Sequence, residues 1–258
     1  MNTIHDLRGR IHFSELKLMA ISPMRFKHAI DCGRQVQPDT AWRRFGTAVD
    51  TMLLGGDFAV WPGTRRGNAW EKFAEAHAGV LILTEKERAE AAAAVKSLQS
   101  RPHAMALLEG ERQRAIEWTW CGRECGGTPD IINPGRYITD LKTARTAQPE
   151  RLRRACLHYA YHAQHRFYGL GAELAGLGTH RHFIVALESV APYDVVCLEL
   201  TPRALLEGEK LCRIWMEQVL GCEASNDWPG YAQTVLPLDV DEDAELIFDD
   251  PETGEEAA

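Results

Sequence analysis

Thr128-Pro129-Asp130-Ile131-Ile132-Asn133-Pro134-Gly135-Arg136-Tyr137-Ile138-Thr139-Asp140-Leu141-Lys142-Thr143 is the stretch that decides the fold. Two apolar runs, Asp130-Ile131-Ile132 and Tyr137 to Leu141, flank the turn formers Asn133-Pro134-Gly135-Arg136, a pattern that predicts a β-hairpin. Asp140 and Lys142 are two apart on a strand, so their side chains leave the same face. Asp130 joins them if the connection holds an odd number of residues. A three-residue Asn133-Pro134-Gly135 loop, with Gly135 in the left-handed position, meets that condition. Two carboxylates and an ammonium then converge. Carboxylates so placed repel one another, and a divalent cation between them relieves the repulsion; Mg²⁺ suits an all-oxygen site that keeps several waters. A lysine beside such a cation can orient and help deprotonate an attacking water, or stabilise charge on a phosphate in flight. Apolar neighbours on both sides argue against a plain solvated hairpin.

Downstream, Pro149 to about Ala175 reads as one long helix. At about 100° per residue, Tyr161, Gln164 and Tyr168 form one stripe, and His158, His162 and His165 form another. A zinc site on the histidine stripe lacks a remaining ligand, and no HExxH pattern is present. His182–Leu187 and Val195–Leu200 read as strands, and Thr201-Pro202 starts a final helix reaching about Gly221. Upstream, Ile116, Trp118 and Trp120 alternate as a strand. Residues 12–99 carry a helical pattern: Phe13 to Ile21, a Ser22-Pro23 start, Phe45–Leu54 and Glu85–Leu98, with a loop around Trp61-Pro62-Gly63. The fold class is α/β, a central mixed sheet flanked by helices with a helical N-terminal part. Residues 1–238 are expected to form one domain, with a core at 112–221.

Composition sets the outer bounds. The chain has 258 residues, 45% of them hydrophobic, and a net charge of −8 from 29 basic and 37 acidic side chains. Ten of those carboxylates lie in residues 239–258, which hold no Lys or Arg, so residues 1–238 stand at +2. The segment 239–258 is too charged to fold alone and reads as an acidic, disordered tail. No apolar run reaches the roughly 18 residues of a membrane span, and Met1–Arg10 lacks the apolar core of a secretory signal. Seven cysteines at irregular spacings suit reduced thiols in a cytoplasmic protein. Lys142, Arg145, Arg151, Arg153, Arg154 and Arg166 gather against a single carboxylate, Glu150, with Arg65 and Arg66 as a smaller cluster. Basic residues flanking an acidic cation site suit a polyanionic partner.

Together these residues resemble the PD-(D/E)XK nuclease superfamily, and within it the RecE-type exonucleases (exodeoxyribonuclease VIII). The likeness extends beyond the central triplet to His12-Phe13-Ser14-Glu15-Leu16-Lys17 with Ser22-Pro23, to Phe45-Gly46-Thr47-Ala48-Val49-Asp50, and to Ile116-Glu117-Trp118. It continues through Tyr161-His162-Ala163-Gln164 with Tyr168, and Trp228-Pro229-Gly230-Tyr231. The resemblance implies a restriction-endonuclease-like core, with Asp130, Asp140 and the Leu141 carbonyl as ligands of Mg²⁺ or Mn²⁺ and Lys142 as the catalytic lysine. Gln164 and Tyr168 would complete the site, and Glu117 is a further candidate.

Asp50 stands where the family has a metal-binding histidine, which implies a shift in metal preference. Thr128 stands where an arginine usually precedes the Pro-Asp pair, so one phosphate contact is missing. The cysteine spacing required for an iron-sulfur cluster is absent, so none is expected, and Cys121 and Cys125 read as strand or turn residues. The implied activity is 5′-to-3′ hydrolysis of linear double-stranded DNA from its ends, in recombination or phage DNA processing. A single-strand annealing protein and a ring-shaped homo-oligomer are the implied partners. Two alternatives are an endonuclease or flap-type nuclease on the same core, and a catalytically impaired DNA-binding module motivated by Asp50 and Thr128.

Overall fold

The computed structural model describes residues 9–32, 40–232 and 234–237; the expected tail at 239–258 lies outside them. In chain order the elements are α1 (Phe13–Leu16), a 3-10 turn (Lys17–Ala20), α2 (Pro23–Cys32), α3 (Ala41–Leu54), β1 (Phe58–Trp61), α4 (Asn68–Ala76), β2 (Leu81–Thr84), α5 (Glu85–Gln99) and α6 (Pro102–Leu107). Then follow β3 (Glu111–Arg112), β4 (Ile116–Trp120), β5 (Arg123–Gly127), β6 (Ile131–Asn133), β7 (Tyr137–Ala144), α7 (Pro149–His158), α8 (Tyr161–Leu174), β8 (Arg181–Glu188), β9 (Val195–Glu199) and α9 (Pro202–Ser225). No helix among the described residues is long and apolar enough to cross a membrane.

A five-stranded sheet in the order β3-β6-β7-β8-β9 forms the centre. It is mixed: β7 and β8 run parallel over eight register pairs from Tyr137↔Arg181 to Ala144↔Glu188, while β6 and β9 pair antiparallel with them. A parallel pair needs a long crossover, and α7 and α8 provide it. Because side chains alternate across a strand, the two faces of β7 go to different cores. Tyr137 and Leu141 join Phe183, Val185 and Leu187 of β8 in one cluster with Val49 of α3 and Ala91, Ala94 and Leu98 of α5. Ile138 points the other way, toward Phe167 of α8, Trp118 of β4 and Met216 of α9.

The expected alternation at Ile116, Trp118 and Trp120 is present, buried at each of those positions and exposed between them. That strand does not enter the central sheet; it pairs with β5 in a separate hairpin. Cys121 and Gly122 both take positive φ in the two-residue turn, and Cys125 lies buried on β5, as strand and turn residues should.

Three expectations are corrected. The N-terminal part is not wholly helical, since β1 and β2 form a short parallel pair across α4; four-residue strands paired over some twenty residues leave no periodic signal. The β6–β7 hairpin turns at Pro134-Gly135-Arg136, not Asn133-Pro134-Gly135, because Asn133 still pairs with Tyr137. The loop stays three residues long, with Gly135 at φ +77° and Arg136 N–H donating to the Asn133 carbonyl at 3.0 Å. The long helix expected at 149–175 is two helices, broken where Ala160 adopts the left-handed conformation at φ 56°, ψ 37°. That break puts His158 on α7 and His162 and His165 on α8, so the histidine stripe is not one helical face.

The segment after α9 folds back on α2. Trp228 stacks on Phe26 at 5.8 Å, the Met24 amide donates to the Pro229 carbonyl at 3.1 Å, and Arg25 Nε donates to the Tyr231 hydroxyl at 2.9 Å.

Candidate active site

The β6–β7 register sets the site. Ile131 pairs with Thr139, so Asp130, one residue before β6, stands opposite Asp140. The Leu141 amide donates to Asp130 Oδ2 at 2.8 Å, which fixes that carboxylate against the neighbouring strand. Asp140 is 3% exposed and forms an ion pair with Lys142, its neighbour on the same strand face. Burial and the Asp140 charge push Asp130 well above the usual carboxylate range. Burial most strongly opposes ionisation of Asp140, but Lys142, His165 and hydrogen bonding from Lys142 and Asp130 together outweigh it and hold Asp140 below that range. Burial would lower Lys142, yet Asp140 and Asp130 hold it above the ordinary lysine value. Lys142 is therefore a fixed cation, suited to orienting an oxygen or meeting phosphate charge, and a poor proton acceptor.

Helix α8 closes one side. Lys142 Nζ lies 5.0 Å from the centre of the Tyr161 ring, and Gln164 Nε2 donates to the Tyr168 hydroxyl at 3.1 Å. Burial and Asp140 push Tyr168 up to about 12. The structure thus turns the Tyr161, Gln164 and Tyr168 stripe toward the hairpin carboxylates. Two glycines make the close packing possible. A Cβ on Gly127 would lie 2.6 Å from Tyr168 Cε1, and one on Gly171 would lie 2.5 Å from Trp118 Cε3.

Asp50 enters from α3. Burial raises it to about 6, with Lys142 opposing and Asp140 reinforcing, so it shares the electrostatic field of the site. Helix α3 comes close to β7, where a Cβ on Gly46 would lie 3.0 Å from Thr143 Oγ1. Among the described residues, no group of three or more His, Cys, Asp or Glu side chains is drawn together tightly enough to hold a metal. The fit is to a cation that takes one or two carboxylates and keeps waters or substrate oxygens for its other positions, as Mg²⁺ does. The buried Asp140 and the half-buried Asp130, the latter bonded to a backbone amide, form such a donor set.

The remaining candidates divide. Arg145 follows β7 directly, and Arg151, Arg153 and Arg154 are exposed on or beside the outer surface of α7, with Arg153 3.7 Å from Glu150. Arg166 is a correction: its side chain is 18% exposed and held by Glu209 at 2.8 Å and Glu173 at 2.9 Å, so it braces α8 against α9 and is not part of the exposed basic stretch. Glu117 lies on the exposed side of β4 in an ion pair with Arg10 at 2.8 Å and stays outside the constellation.

One residue that the sequence patterns misassigned is His165. It is fully buried and feels the Asp140 charge. Its position directly after Gln164 was the available signal.

A family model described as "PDDEXK-like domain of unknown function (DUF3799)" matches residues 13–236. No curated protein matches the chain. Among solved structures, the crystal structure of a "Putative exonuclease" from Eubacterium rectale is similar over 91% of this chain and 92% of its own, at 15% identity with a TM-score of 0.66. A second, SSO0001, aligns over 74% of this chain and 90% of its own, at 13% identity with a TM-score of 0.31. The first likeness supports the fold, and the family match covers the β6–β7 hairpin, α3 and α8 together. The chain belongs to the family of PDDEXK-like domains of unknown function.

Proposed function

We propose that the protein is a metal-dependent DNA exonuclease of the RecE type, hydrolysing linear double-stranded DNA from its ends in the 5′-to-3′ direction. One observation carries the reading: Asp130, Asp140 and Lys142 converge on one face of the β6–β7 hairpin, opposite Gln164 and Tyr168. Asp130 and Asp140 would hold Mg²⁺ or Mn²⁺, with the Leu141 carbonyl and Asp50 as nearby oxygens. The cation, when bound, supplies a lowered water pKa and neutralises charge on phosphate.

The protein's own groups account for the rest. Lys142, cationic and held by Asp140, presents N–H donors to the attacking water or to a phosphate oxygen. The Gln164–Tyr168 hydrogen bond orders the opposite wall, while burial and the Asp140 charge keep Tyr168 a neutral donor. Arg145, Arg151, Arg153 and Arg154 give the approach a positive edge that attracts the duplex despite the carboxylates. A single-strand annealing protein as the recipient of the exposed strand, and a ring-shaped homo-oligomer that retains the duplex, belong to the same reading.

The test is linear duplex DNA labelled at either end and incubated with Mg²⁺ or Mn²⁺, beside closed circular DNA. Loss of the 5′ label first, with the circle left intact, is expected. Lys142→Ala should slow release about 100- to 1,000-fold, as removal of a single charge-stabilising donor does. Degradation by that variant at the wild-type rate would overturn the proposal, and cutting of the circle would reassign the protein as an endonuclease.

A further inference from the structure

Beside Asp140, on the sheet face that α8 covers, lies a pair of buried histidines. His165 on α8 is 0% exposed and His182 on β8 is 3% exposed. Their rings meet edge to face, with centroids 5.6 Å apart and planes at 84°. The register explains the meeting. Ile138 pairs with His182 and Asp140 with Ile184, so His182 and Asp140 leave the same sheet face, where His165 of α8 meets the His182 ring and lies within the field of Asp140. Gly169 makes room for this, because a Cβ there would lie 2.8 Å from His182 Cε1.

Both ring nitrogens of His165, and Nδ1 of His182, are buried with no hydrogen-bond partner among the described residues. An unsatisfied buried polar group is destabilising by about 1–3 kcal/mol, and native interiors hold few of them. An apolar ring would fill the same space without that penalty. A neutral imidazole presents one N–H and one lone pair. The N–H is the group that a carboxylate needs on its far side.

We propose that His165, backed by His182, is a positioning residue for Asp140. Its N–H, across one water, holds the Asp140 carboxylate in the orientation that receives a divalent cation. Lys142 pulls the same carboxylate toward itself. A second, fixed donor on the other side of Asp140 means that the orientation of the carboxylate is not set by the lysine alone. A histidine buttressing a carboxylate ligand is a means of tuning affinity without touching the metal. The inference rests on the cation-binding reading of Asp130 and Asp140.

The experiment compares wild type with His165→Phe and His165→Asn, using the full chain and Mn²⁺ alone as probe. Binding is followed by calorimetry and by the electron-spin signal of free Mn²⁺, and thermal melting is recorded without metal. His165→Phe should weaken Mn²⁺ binding about 10- to 100-fold while melting at or above the wild-type temperature. His165→Asn, which keeps a donor, should recover most of the affinity. Wild-type Mn²⁺ affinity in a folded His165→Phe protein would overturn the proposal and leave the nuclease reading standing. Should Phe at 165 unfold the chain, His182→Phe tests the same link: weakened binding supports it and unchanged binding overturns it. A wild type that binds Mn²⁺ yet releases no nucleotides would remove the nuclease reading and leave this one intact, while a wild type that binds no Mn²⁺ would remove both.

Discussion

The backbone amide of Leu141 donates a 2.8 Å hydrogen bond to Asp130 Oδ2, so the strand that carries Asp140 and Lys142 also fixes the orientation of the third charged group. Asparagine at 130 can still accept that bond through its carbonyl oxygen. Because burial and Asp140 push the Asp130 carboxyl well above its usual range, its ionised form opposes folding in the metal-free protein. Asp130→Asn should therefore melt at or above the wild-type temperature at neutral pH, while metal-dependent nucleotide release falls at least about 100-fold. Scanning calorimetry and an end-label assay on the same preparation check both halves.

Asp50 offers a pH signature. Burial raises its carboxyl from 3.8 to about 6, so the native state holds this proton more tightly than the unfolded chain. Its contribution to stability falls as pH rises from about 4 through about 6 and is fully unfavourable above that. Asp50→Asn should be about 2–3 kcal/mol more stable than wild type at pH 7.5 in the absence of metal, with the difference closing near pH 4. Urea melts at a series of pH values measure it; a difference that does not vary with pH would contradict the assignment.

Glu87 has the opposite sign. Its carboxylate accepts from Arg44 Nε at 3.0 Å, Arg65 Nη1 at 2.9 Å and the Thr84 amide at 2.7 Å, joining α3 to the start of α5. Burial works against its ionisation, but these donors bring it down to about 2. The stability it contributes is complete above about 4.5 and is lost as pH falls through about 2. Glu87→Gln should lower stability at pH 7 by about 1–2 kcal/mol, since the group is partly open to solvent and screened. The loss should shrink in acid.

Gly127 lies under the Tyr168 ring, with no room for a Cβ. Gly127→Ala should displace Tyr168 and destabilise the protein by about 1–3 kcal/mol through overpacking. The same substitution should break the Gln164–Tyr168 hydrogen bond and reduce kcat. Adding Tyr168→Ala should restore stability without restoring turnover. Recovery of both would place Tyr168 outside the catalytic wall.

The ten carboxylates of residues 239–258 compete with DNA for the basic side chains at 145–154 if the two meet. Deleting 239–258 should then tighten duplex binding at low salt, with the gain fading as ionic strength rises. Equal affinities at every salt concentration would make the segment a solubilising one.

The sequence by itself determined the hairpin that carries Asp130, Asp140 and Lys142. Asp-x-Lys on a strand has a fixed face, and a Pro-Gly turn of odd length returns Asp130 to that face wherever the loop begins, which is why a one-residue error in the loop left the site unchanged. It also determined the Tyr161, Gln164 and Tyr168 stripe, because spacings of three and four on a helix hold whatever the helix packs against. Only the tertiary structure decided the rest. The left-handed Ala160 that separates α7 from α8 carries no Gly or Pro signal. Arg166 has the composition of a DNA contact and is consumed by Glu173 and Glu209, residues 7 and 43 positions away. His165 looked like one of three histidines on a surface stripe. The β7–β8 register and the missing Cβ of Gly169 place it beside Asp140, a meeting of three elements that no local pattern encodes.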